Sequence, residues 1–334
     1  MPTQRVLPSR RCLLGLHVLG AGPGDDVIVG DYTFPATGHS VLWTGATPRF
    51  ADVRPDIWSA DPDHVASLVN ERRVGILAVD VFGQSADYDE LRAIADRNGL
   101  WLFEDAACSA GASCRGRPAG SLADLAAFSF HGRKGITAGE GGALVGDRSD
   151  WMETARKLHT YGIAPAINRE GASDLPIPGF DVAGFNYRMS DLQAAIMQIQ
   201  LRRLPELSAS RARAAASYHE LLAGFDAVTV PTALDDRVHA WQSYVITLAP
   251  SVDRGRVALA LRERGVGCNF GTYASHLQPV YASADRCPVS ADLFDRHLAL
   301  AMHANLSDDD VTYVAEVLGD VLGMANHLST AADQ

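Results

Sequence analysis

The sequence predicts an α/β protein whose larger part is a mostly parallel sheet with helices on both faces. Short apolar runs alternate with helical stretches through the first half of the chain, and this alternation is typical of parallel sheets with helical crossovers. Beyond about residue 210 the pattern changes to α+β. We therefore predict a large α/β domain over residues 1–210 and a small C-terminal α+β domain over residues 211–334.

The elements of the first half are predicted from apolar runs and from the residues that bound them. A helix over residues 12–20 ends at Gly20, with Pro23 beyond it. Apolar runs bounded by turn residues predict strands over 27–29, 48–51, 75–81, 100–103, 123–130 and 143–145. Helices are expected over 37–44, 61–70 and 88–98, and Asp61 followed by Pro62 is a typical helix start.

Residues 163–186 interrupt this alternation. Pro165, Pro176, Pro178 and several glycines prevent any regular period, which predicts a long loop of the kind that is usually functional or disordered. Ser190 can cap a helix over residues 192–204, and a second helix is expected over 206–222 because proline ends helices. The small domain has predicted strands over 243–248 and 266–270, and helices over 254–264 and 308–322.

The charge and composition restrict the possible partners. The net charge of -11, with a pI near 5.4, argues against a general nucleic-acid binder, which would present a basic face. An anionic small ligand held by backbone amides and a few arginines remains compatible with this balance. No apolar stretch approaches the roughly 20 residues that span a bilayer. We expect neither a nucleic-acid partner nor a membrane partner.

The cysteines and the N-terminal residues bear on the cellular compartment. Five cysteines form no CxxC pair and no Cys/His zinc spacing, so no metal site is predicted and free thiols in a reducing cytoplasm are expected. The segment Ser9-Arg10-Arg11 faintly resembles a twin-arginine export signal. His17 interrupts the apolar run that follows, and no A-x-A cleavage site is present. A cytoplasmic enzyme is the favoured interpretation.

Lys134 lies in a glycine-rich turn between two predicted buried strands. The chain contains 27 arginines but only two lysines, Lys134 and Lys157. A guanidinium stays protonated, whereas a lysine amine can lose its proton and form a Schiff base. A solvated loop lysine is the alternative interpretation. The glycine-rich turn, in which the backbone can approach a ligand closely, favours a lysine kept for covalent chemistry.

Three other side chains follow predicted strands and join Lys134 at one edge of the sheet. Asp105 follows the strand over 100–103, Phe34 follows the strand over 27–29, and Ser129 lies at the end of the strand before Lys134. Each has a structural alternative, since Asp105 suits a cap or turn and the other two suit a core. Together, a lysine, an acid, an aromatic ring and a hydroxyl are the groups that pyridoxal phosphate (PLP) requires.

Four segments resemble the DegT-type family of nucleotide-sugar aminotransferases (DegT/DnrJ/StrS). They are SFHGRKGITAGEGG at 129–142, EDAACSAG at 104–111, GPGDDVIVGDYTF at 22–34 and GFNYRMSDLQAA at 184–195. The resemblance extends over about residues 13–322. It implies an aspartate-aminotransferase-like fold (PLP fold type I), PLP as the cofactor, and a homodimer with shared active sites.

The resemblance also implies roles for individual residues. Lys134 would form the Schiff base and shuttle the proton, Asp105 would pair with the pyridinium nitrogen, and Phe34 would stack on the ring. Ser129 would bind the phosphate, and Asn186 would reach the phosphate of the other subunit. Tyr273 and His276 would lie near the substrate.

Two positions depart from the family pattern. Cys108 stands where relatives usually have Gln or another polar residue that contacts the ring hydroxyl of the cofactor, and thiols are weak hydrogen-bonding groups. Pro8-Ser9 stands where relatives have a Gly-Thr pair that holds the phosphate. Pro8 has no amide proton to donate, which leaves the Ser9 hydroxyl as the group available there.

The function that the resemblance implies is transfer of an amino group, from glutamate or glutamine, to a nucleotide-linked keto-sugar in amino-sugar biosynthesis for polysaccharides or antibiotics. One alternative acceptor is a cyclitol ketone. A second alternative is a PLP-dependent sugar dehydratase, although in those relatives a histidine replaces the lysine. An alternative of another class is a non-catalytic, cofactor-poor family member with a regulatory or binding role.

Overall fold

The computed structural model describes residues 5–7, 11–163 and 178–323. Within these ranges the helices are α1 (Arg11–Val18), α2 (Ala36–Thr44), α3 (Pro62–Leu68), α4 (Tyr88–Asn98), α5 (Ser149–Leu158), α6 (Asp191–Leu222), α7 (Arg254–Glu263), α8 (Pro288–Arg296) and α9 (Asp308–Val321). The strands are β1 (Arg5–Leu7), β2 (Asp26–Gly30), β3 (Tyr32–Thr33), β4 (Thr47–Ala51), β5 (Arg73–Val79), β6 (Trp101–Asp105), β7 (Ser113–Cys114), β8 (Arg117–Pro118), β9 (Leu125–Ser129), β10 (Gly142–Val145), β11 (Val228–Thr229), β12 (Arg237–Val238), β13 (Tyr244–Leu248), β14 (Asn269–Phe270), β15 (Tyr273–Ala274) and β16 (His297–Leu300).

The large sheet has seven strands in the order β1-β10-β9-β6-β5-β2-β4. The four contacts that join β9, β6, β5, β2 and β4 are parallel, whereas β10 is antiparallel to both β9 and β1. The predicted mostly parallel α/β sheet is therefore confirmed. Because β6 and β9 are parallel neighbours, their carboxyl ends and the residues that follow lie at the same edge.

Both faces of this sheet are buried, as the continuous apolar runs predict. Along β2, Val27 and Val29 belong to the core beneath α1 and α2, whereas Ile28 belongs to the core beneath α3 and α4. The same alternation separates Phe103 from Leu102 on β6. A methyl group at Gly15 would overlap the ring of Phe103, so glycine lets α1 lie close against the sheet.

A second, smaller sheet is antiparallel and has four strands in the order β11-β13-β16-β14. Its core is formed with α6, α7 and α9, and the fully buried side chains include Tyr218, Tyr244, Ile246, Leu298 and Leu318. This core contains residues from position 214 onward only. The division into residues 1–210 and 211–334 remains our proposal, and this separate core supports it.

Strand β15 connects the second half of the chain to the first, because it pairs with β3 beside the large sheet. Side chains reinforce this pairing. The hydroxyl of Tyr32 lies 2.9 Å from Nδ1 of His297, and Oδ1 of Asp52 accepts the amide and the hydroxyl of Ser290, each at 2.9 Å. The segment around β3 is therefore held between the two halves of the chain.

The predicted helix starts at Asp61 and Ser190 are confirmed. The amide of Asp63 donates to Oδ1 of Asp61 at 2.9 Å. At the start of α6, the amide of Gln193 donates to the Ser190 hydroxyl while the Ser190 amide donates to the Gln193 side chain, which is a capping box. Along the described ranges, no helix combines the length and the apolarity that crossing a bilayer requires.

The predicted break at Pro205 is wrong, because α6 continues through it from Asp191 to Leu222. A proline leaves the carbonyl of the residue four positions earlier, here Leu201, without its helical partner. Residues 201–203 and 205–206 are exposed, so water can solvate that carbonyl and the helix need not end. The predictions also omitted α5 and α8, and they gave strand 266–270 more residues than β14 contains.

Candidate active site

The turn after β9 brings Lys134 to the carboxyl edge of the sheet. The Lys134 amide donates to the carbonyl of His131 at 2.9 Å, which closes the turn directly after the strand. A methyl group added at Gly135 or at Gly139 would meet no atom of the described residues within 4 Å, and Gly139 has a φ of +80°. The backbone beside Lys134 therefore borders open space, as a ligand-binding turn requires.

The two lysines have different surroundings. Nζ of Lys134 is half-buried and lies 3.1 Å from Sγ of Cys108. Nζ of Lys157 instead forms ion pairs with Asp181 at 3.2 Å and Glu153 at 3.6 Å. The hydrogen bond to Asp181 raises the pKa of Lys157. Among the described contacts of Lys134 no carboxylate ion pair occurs, so of the two amines it is the one placed for covalent chemistry.

Asp105 is buried at the end of β6 and accepts two hydrogen bonds there. The hydroxyl of Thr37 donates to Oδ2 at 2.8 Å, and the amide of Ala107 donates to Oδ1 at 3.2 Å. The thiol of Cys12 is a third neighbour within hydrogen-bonding reach. Burial, followed by the negative charge of Asp105, raises the pKa of Cys12. Cys12 therefore stays a neutral thiol that can donate to the carboxylate.

Cys12 also shows that Asp105 and Lys134 share one region. The charges of both residues act on the pKa of Cys12, the aspartate raising it and the lysine lowering it. Cys12, at the start of α1, is therefore close enough to both residues to be affected by their charges. Cys12 was not among the predicted site residues, because nothing in its local pattern separates it from the other apolar residues of that helix.

A buried carboxyl pair lies behind Asp105 and was also not predicted. Burial raises the pKa of Asp80 to about 6, and burial together with the charge of Asp80 raises the pKa of Glu104. Asp80 accepts the hydroxyls of Ser109 at 2.6 Å and Tyr88 at 2.9 Å. Ser109 directly follows Cys108. Its hydrogen bond to Asp80 therefore helps to fix the backbone that carries the Cys108 thiol beside Lys134.

Phe34 and Tyr273 are brought together by the pairing of β3 with β15. Their ring centroids are 6.2 Å apart with an interplanar angle of 66°, and Tyr273 is paired with Thr33 in the strand register. Phe34 is 63% exposed, so it does not fill a core. An exposed ring held on its edge by a second aromatic residue is available to stack on a flat ligand.

Ser129 is buried at the end of β9, where its hydroxyl accepts the amide of His131 at 3.4 Å. This position is beside the Lys134 turn, as the sequence predicts. The bond is long, and the hydroxyl proton is left for another acceptor. The structure therefore places Ser129 in the same turn as the amine without assigning it a ligand.

His276 makes a paired contact with Asp31, a fully buried residue that was not among the predicted site residues. Nδ1 of His276 lies 2.7 Å from Oδ2 of Asp31, and the His276 amide donates to Oδ1 at 2.7 Å. The hydrogen bond to Asp31 raises the pKa of His276, while burial raises the pKa of Asp31. Asp31 lies three residues before Phe34, and that short spacing was the available signal.

Among its described contacts, Asn186 does not meet the Lys134 turn of the same chain. Its side chain is exposed and accepts a hydrogen bond from Nε of Arg188 at 2.9 Å, and its backbone forms a bridge with Thr160. Ser9 lies outside the described residues, and so does most of the predicted loop over 163–186.

Known proteins resemble this chain along nearly its whole length. A profile described as the DegT/DnrJ/EryC1/StrS aminotransferase family matches residues 10–319. The GDP-perosamine synthase of Caulobacter vibrioides is 36% identical, and the spore coat polysaccharide biosynthesis protein SpsC of Bacillus subtilis is 32% identical; each match covers 92% of this chain and 82% of the relative. The structure of DesV from S. venezuelae, in complex with a ketimine intermediate, superimposes with a TM-score of 0.85 at 30% identity, covering 95% of this chain and 84% of that one.

Proposed function

The chain belongs to the DegT/DnrJ/EryC1/StrS aminotransferase family, and on that premise we propose that it transfers an amino group from glutamate or glutamine to a nucleotide-linked keto-sugar. The pairing of Lys134 with Cys108, next to the buried Asp105, is the observation that carries the proposal. It supplies a free amine and an acid at neighbouring strand ends of a fold type I sheet.

The groups present fit pyridoxal phosphate as the cofactor. The donor set contains one amine without a carboxylate partner among its described contacts, one buried carboxylate and one exposed aromatic ring, provided by Lys134, Asp105 and Phe34. The turn beside Lys134 borders open space at Gly135 and Gly139. Bound PLP would supply an aldehyde carbon for the amine and a ring that accepts electrons from the substrate carbon.

Each residue then has a definite task. Lys134 would hold the cofactor through Nζ and would be the base that moves a proton at Nζ. Asp105, fixed by Thr37, would keep a proton on the ring nitrogen. Phe34 would stack on the ring and limit the access of water, and Ser129 would offer its hydroxyl to the phosphate.

A nucleotide-linked sugar as the acceptor is supported by the family and by the names of relatives, one of which is a GDP-perosamine synthase. A cyclitol ketone is the adjacent alternative, since the same transfer chemistry applies to it. The presence of Lys134 disfavours the dehydratase alternative. The alternative of a cofactor-poor binding protein predicts no covalent attachment at Lys134. Tyr273 and His276, close to Phe34 and Asp31, are our proposed substrate-side residues.

We propose a homodimer in which Asn186 completes the partner's phosphate site. The first turns of α6 expose Leu192 (80%), Ile196 (51%) and Ile199 (51%) along one face, and a helical face of this kind is typical of an interface. Asn186 lies shortly before this helix. A cytoplasmic location is part of the same proposal, and the five free thiols support it.

The test is covalent capture of the cofactor. Purified protein incubated with PLP should develop the absorbance band of a protein-bound imine, and borohydride reduction followed by peptide mass mapping should place the pyridoxyl group on Lys134. A Lys134→Arg variant should lose the band, whereas the matched control Lys157→Arg should retain it. Absence of the band in the wild-type chain, or a label on Lys157, would contradict the proposal.

A further inference from the structure

The thiol of Cys108 and the amine of Lys134 form an isolated reactive pair. Sγ and Nζ are 3.1 Å apart, and both side chains are half-buried. Within the described residues, this contact is the hydrogen bond that Nζ of Lys134 makes. A thiol that is hydrogen-bonded to an amine, at a partly exposed position that small reagents can reach, can be joined to it once the sulfur is oxidised.

The other cysteines are less suited to oxidation. Cys12, Cys114 and Cys287 are buried, and burial raises the pKa of each, which disfavours the nucleophilic thiolate. Cys268 is half-buried, and its thiol lies 3.4 Å from the carbonyl of Ala258 with burial again raising its pKa. Cys108 is therefore the thiol that combines partial exposure with a nitrogen partner.

We propose that Cys108 and Lys134 form a reversible covalent modification site, in which peroxide oxidation of the thiol leads to a sulfur–nitrogen bond between the two side chains. Hydrogen peroxide first converts the thiol to a sulfenic acid and is itself reduced to water. The Lys134 nitrogen then attacks the sulfur, the S–O bond breaks, and the departing hydroxide takes the proton lost from the nitrogen. The products are a sulfenamide and a second water molecule.

The bond is reversed by thiols. A thiolate attacks the sulfur of Cys108, the amine leaves with a proton, and a second thiol resolves the resulting mixed disulfide. The reductant is oxidised to a disulfide, and both side chains return to their original state. A dithiol should therefore restore the amine completely.

The consequence for the enzyme rests on the proposed function, whereas the bond itself does not. While Nζ is bonded to sulfur it cannot hold an aldehyde cofactor, so cofactor uptake should fall in proportion to the modified fraction. Conversely, a cofactor already attached to Lys134 occupies the nitrogen and should protect the pair. Oxidation would then disable only the protein that is not loaded with cofactor.

The test uses the full-length protein, with and without PLP, treated with hydrogen peroxide and mapped by peptide mass spectrometry. We expect a linked pair of peptides containing Cys108 and Lys134, with the mass of two hydrogen atoms missing. Dithiothreitol should remove it, and PLP should prevent it. Cys108→Ser should abolish the linked peptides, whereas the matched control Cys268→Ser should not affect them.

Two outcomes would overturn the proposal. One is oxidation of Cys108 to sulfinic or sulfonic acid without any link to Lys134, and the other is equal linkage of Lys157, which would indicate non-specific chemistry. The two hypotheses remain separable. Normal PLP uptake without linked peptides rejects the modification site alone, and linked peptides in a protein that never takes up PLP reject the proposed function alone.

Discussion

Asp105 illustrates how a single carboxylate is held for one task. Thr37, Ala107 and Cys12 surround it with donors, and its side chain is buried where β6 ends. A buried carboxylate needs such partners, because an unpaired charge is costly to remove from water. These donors hold the carboxylate in one orientation at the edge of the sheet that carries the Lys134 turn.

Replacing Asp105 with Asn should therefore reduce catalysis more than it reduces stability. Asn has a similar shape, but it cannot keep a proton on the ring nitrogen of the cofactor. We expect kcat to fall on the order of 100-fold, as when one electrostatic partner of a transition state is removed. The imine absorbance at Lys134 should persist. Asp292→Asn on α8, where Asp292 is half-exposed and pairs with Arg296, is the control, and equal losses in both variants would contradict the assigned role.

At the residue scale, the order of the chain singles out Lys134, Asp105, Phe34 and Ser129 as candidates, because each lies at or shortly after the end of a predicted strand. In the structure Asp105 and Ser129 end β6 and β9, and Phe34 follows β3. The surrounding groups cannot be predicted in this way. Cys12 reaches Asp105 only because α1 packs across β9 and β10. The pairing of Asp80 with Glu104 depends on the register of β5 and β6.

At the scale of elements, the short β3–β15 pair positions both Phe34 and Tyr273. The contact between Asp31 and His276 lies at its end, where Ser275 also donates its amide to the Asp31 carbonyl at 3.1 Å. A strand pair of two residues per strand has few backbone hydrogen bonds. The buried contact between Asp31 and His276 therefore contributes substantially to holding this joint, the β3–β15 pair, together.

The stability of this joint should depend on pH. The hydrogen bond to Asp31 raises the pKa of His276 above 6.5, so its stabilisation is complete below that value and is lost as the pH rises through the raised pKa. His276→Gln keeps a neutral hydrogen bond. We expect wild type to exceed this variant in unfolding free energy by about 1 kcal/mol near pH 6.

The measurement is denaturant unfolding of both proteins at several pH values. The difference between wild type and His276→Gln should shrink as the pH rises through the raised pKa of His276 and the imidazole becomes neutral. Burial raises the pKa of Asp31, so protonation of Asp31 weakens the pair at the acidic end as well. His303→Gln, at an exposed position, is the control. A difference that stays constant across this range would show that the charge on His276 does not contribute.

Element boundaries were harder to predict than element types. The apolar runs predict each parallel strand. The rule that proline ends a helix predicts a break at Pro205, but exposure to water lets α6 continue through it. Helices α5 and α8 were missed because each is short and only partly apolar on one face. Their helical state depends more on packing, of α5 against α1 and of α8 against β15, than on local pattern.

At the scale of the whole molecule, the exposed apolar face of α6 should determine the oligomeric state. Leu192 and Ile196 are successive members of that face. A Leu192→Glu/Ile196→Glu double variant should place charges in the interface, convert a dimer to a monomer in sedimentation velocity, and weaken PLP binding, since Asn186 would no longer reach the partner.

The control for the dimer prediction is Leu259→Glu, which changes an apolar side chain that is 61% exposed on a different helix, α7. It should remain dimeric and bind PLP normally. A wild-type protein that is monomeric while it still binds PLP tightly would contradict both the interface and the shared site. The molecular masses from sedimentation velocity test the interface, and titration with PLP tests the shared site.

The scarcity of lysine has a practical consequence for following the amine of Lys134. A lysine-specific endoprotease has only two cleavage sites in the unfolded chain, after Lys134 and after Lys157. Any chemistry that caps the amine of Lys134 removes one of them, so the digest changes from three fragments to two. Gel electrophoresis of the digest therefore reports the occupancy of the site directly, with uncapped Lys157 as the internal standard.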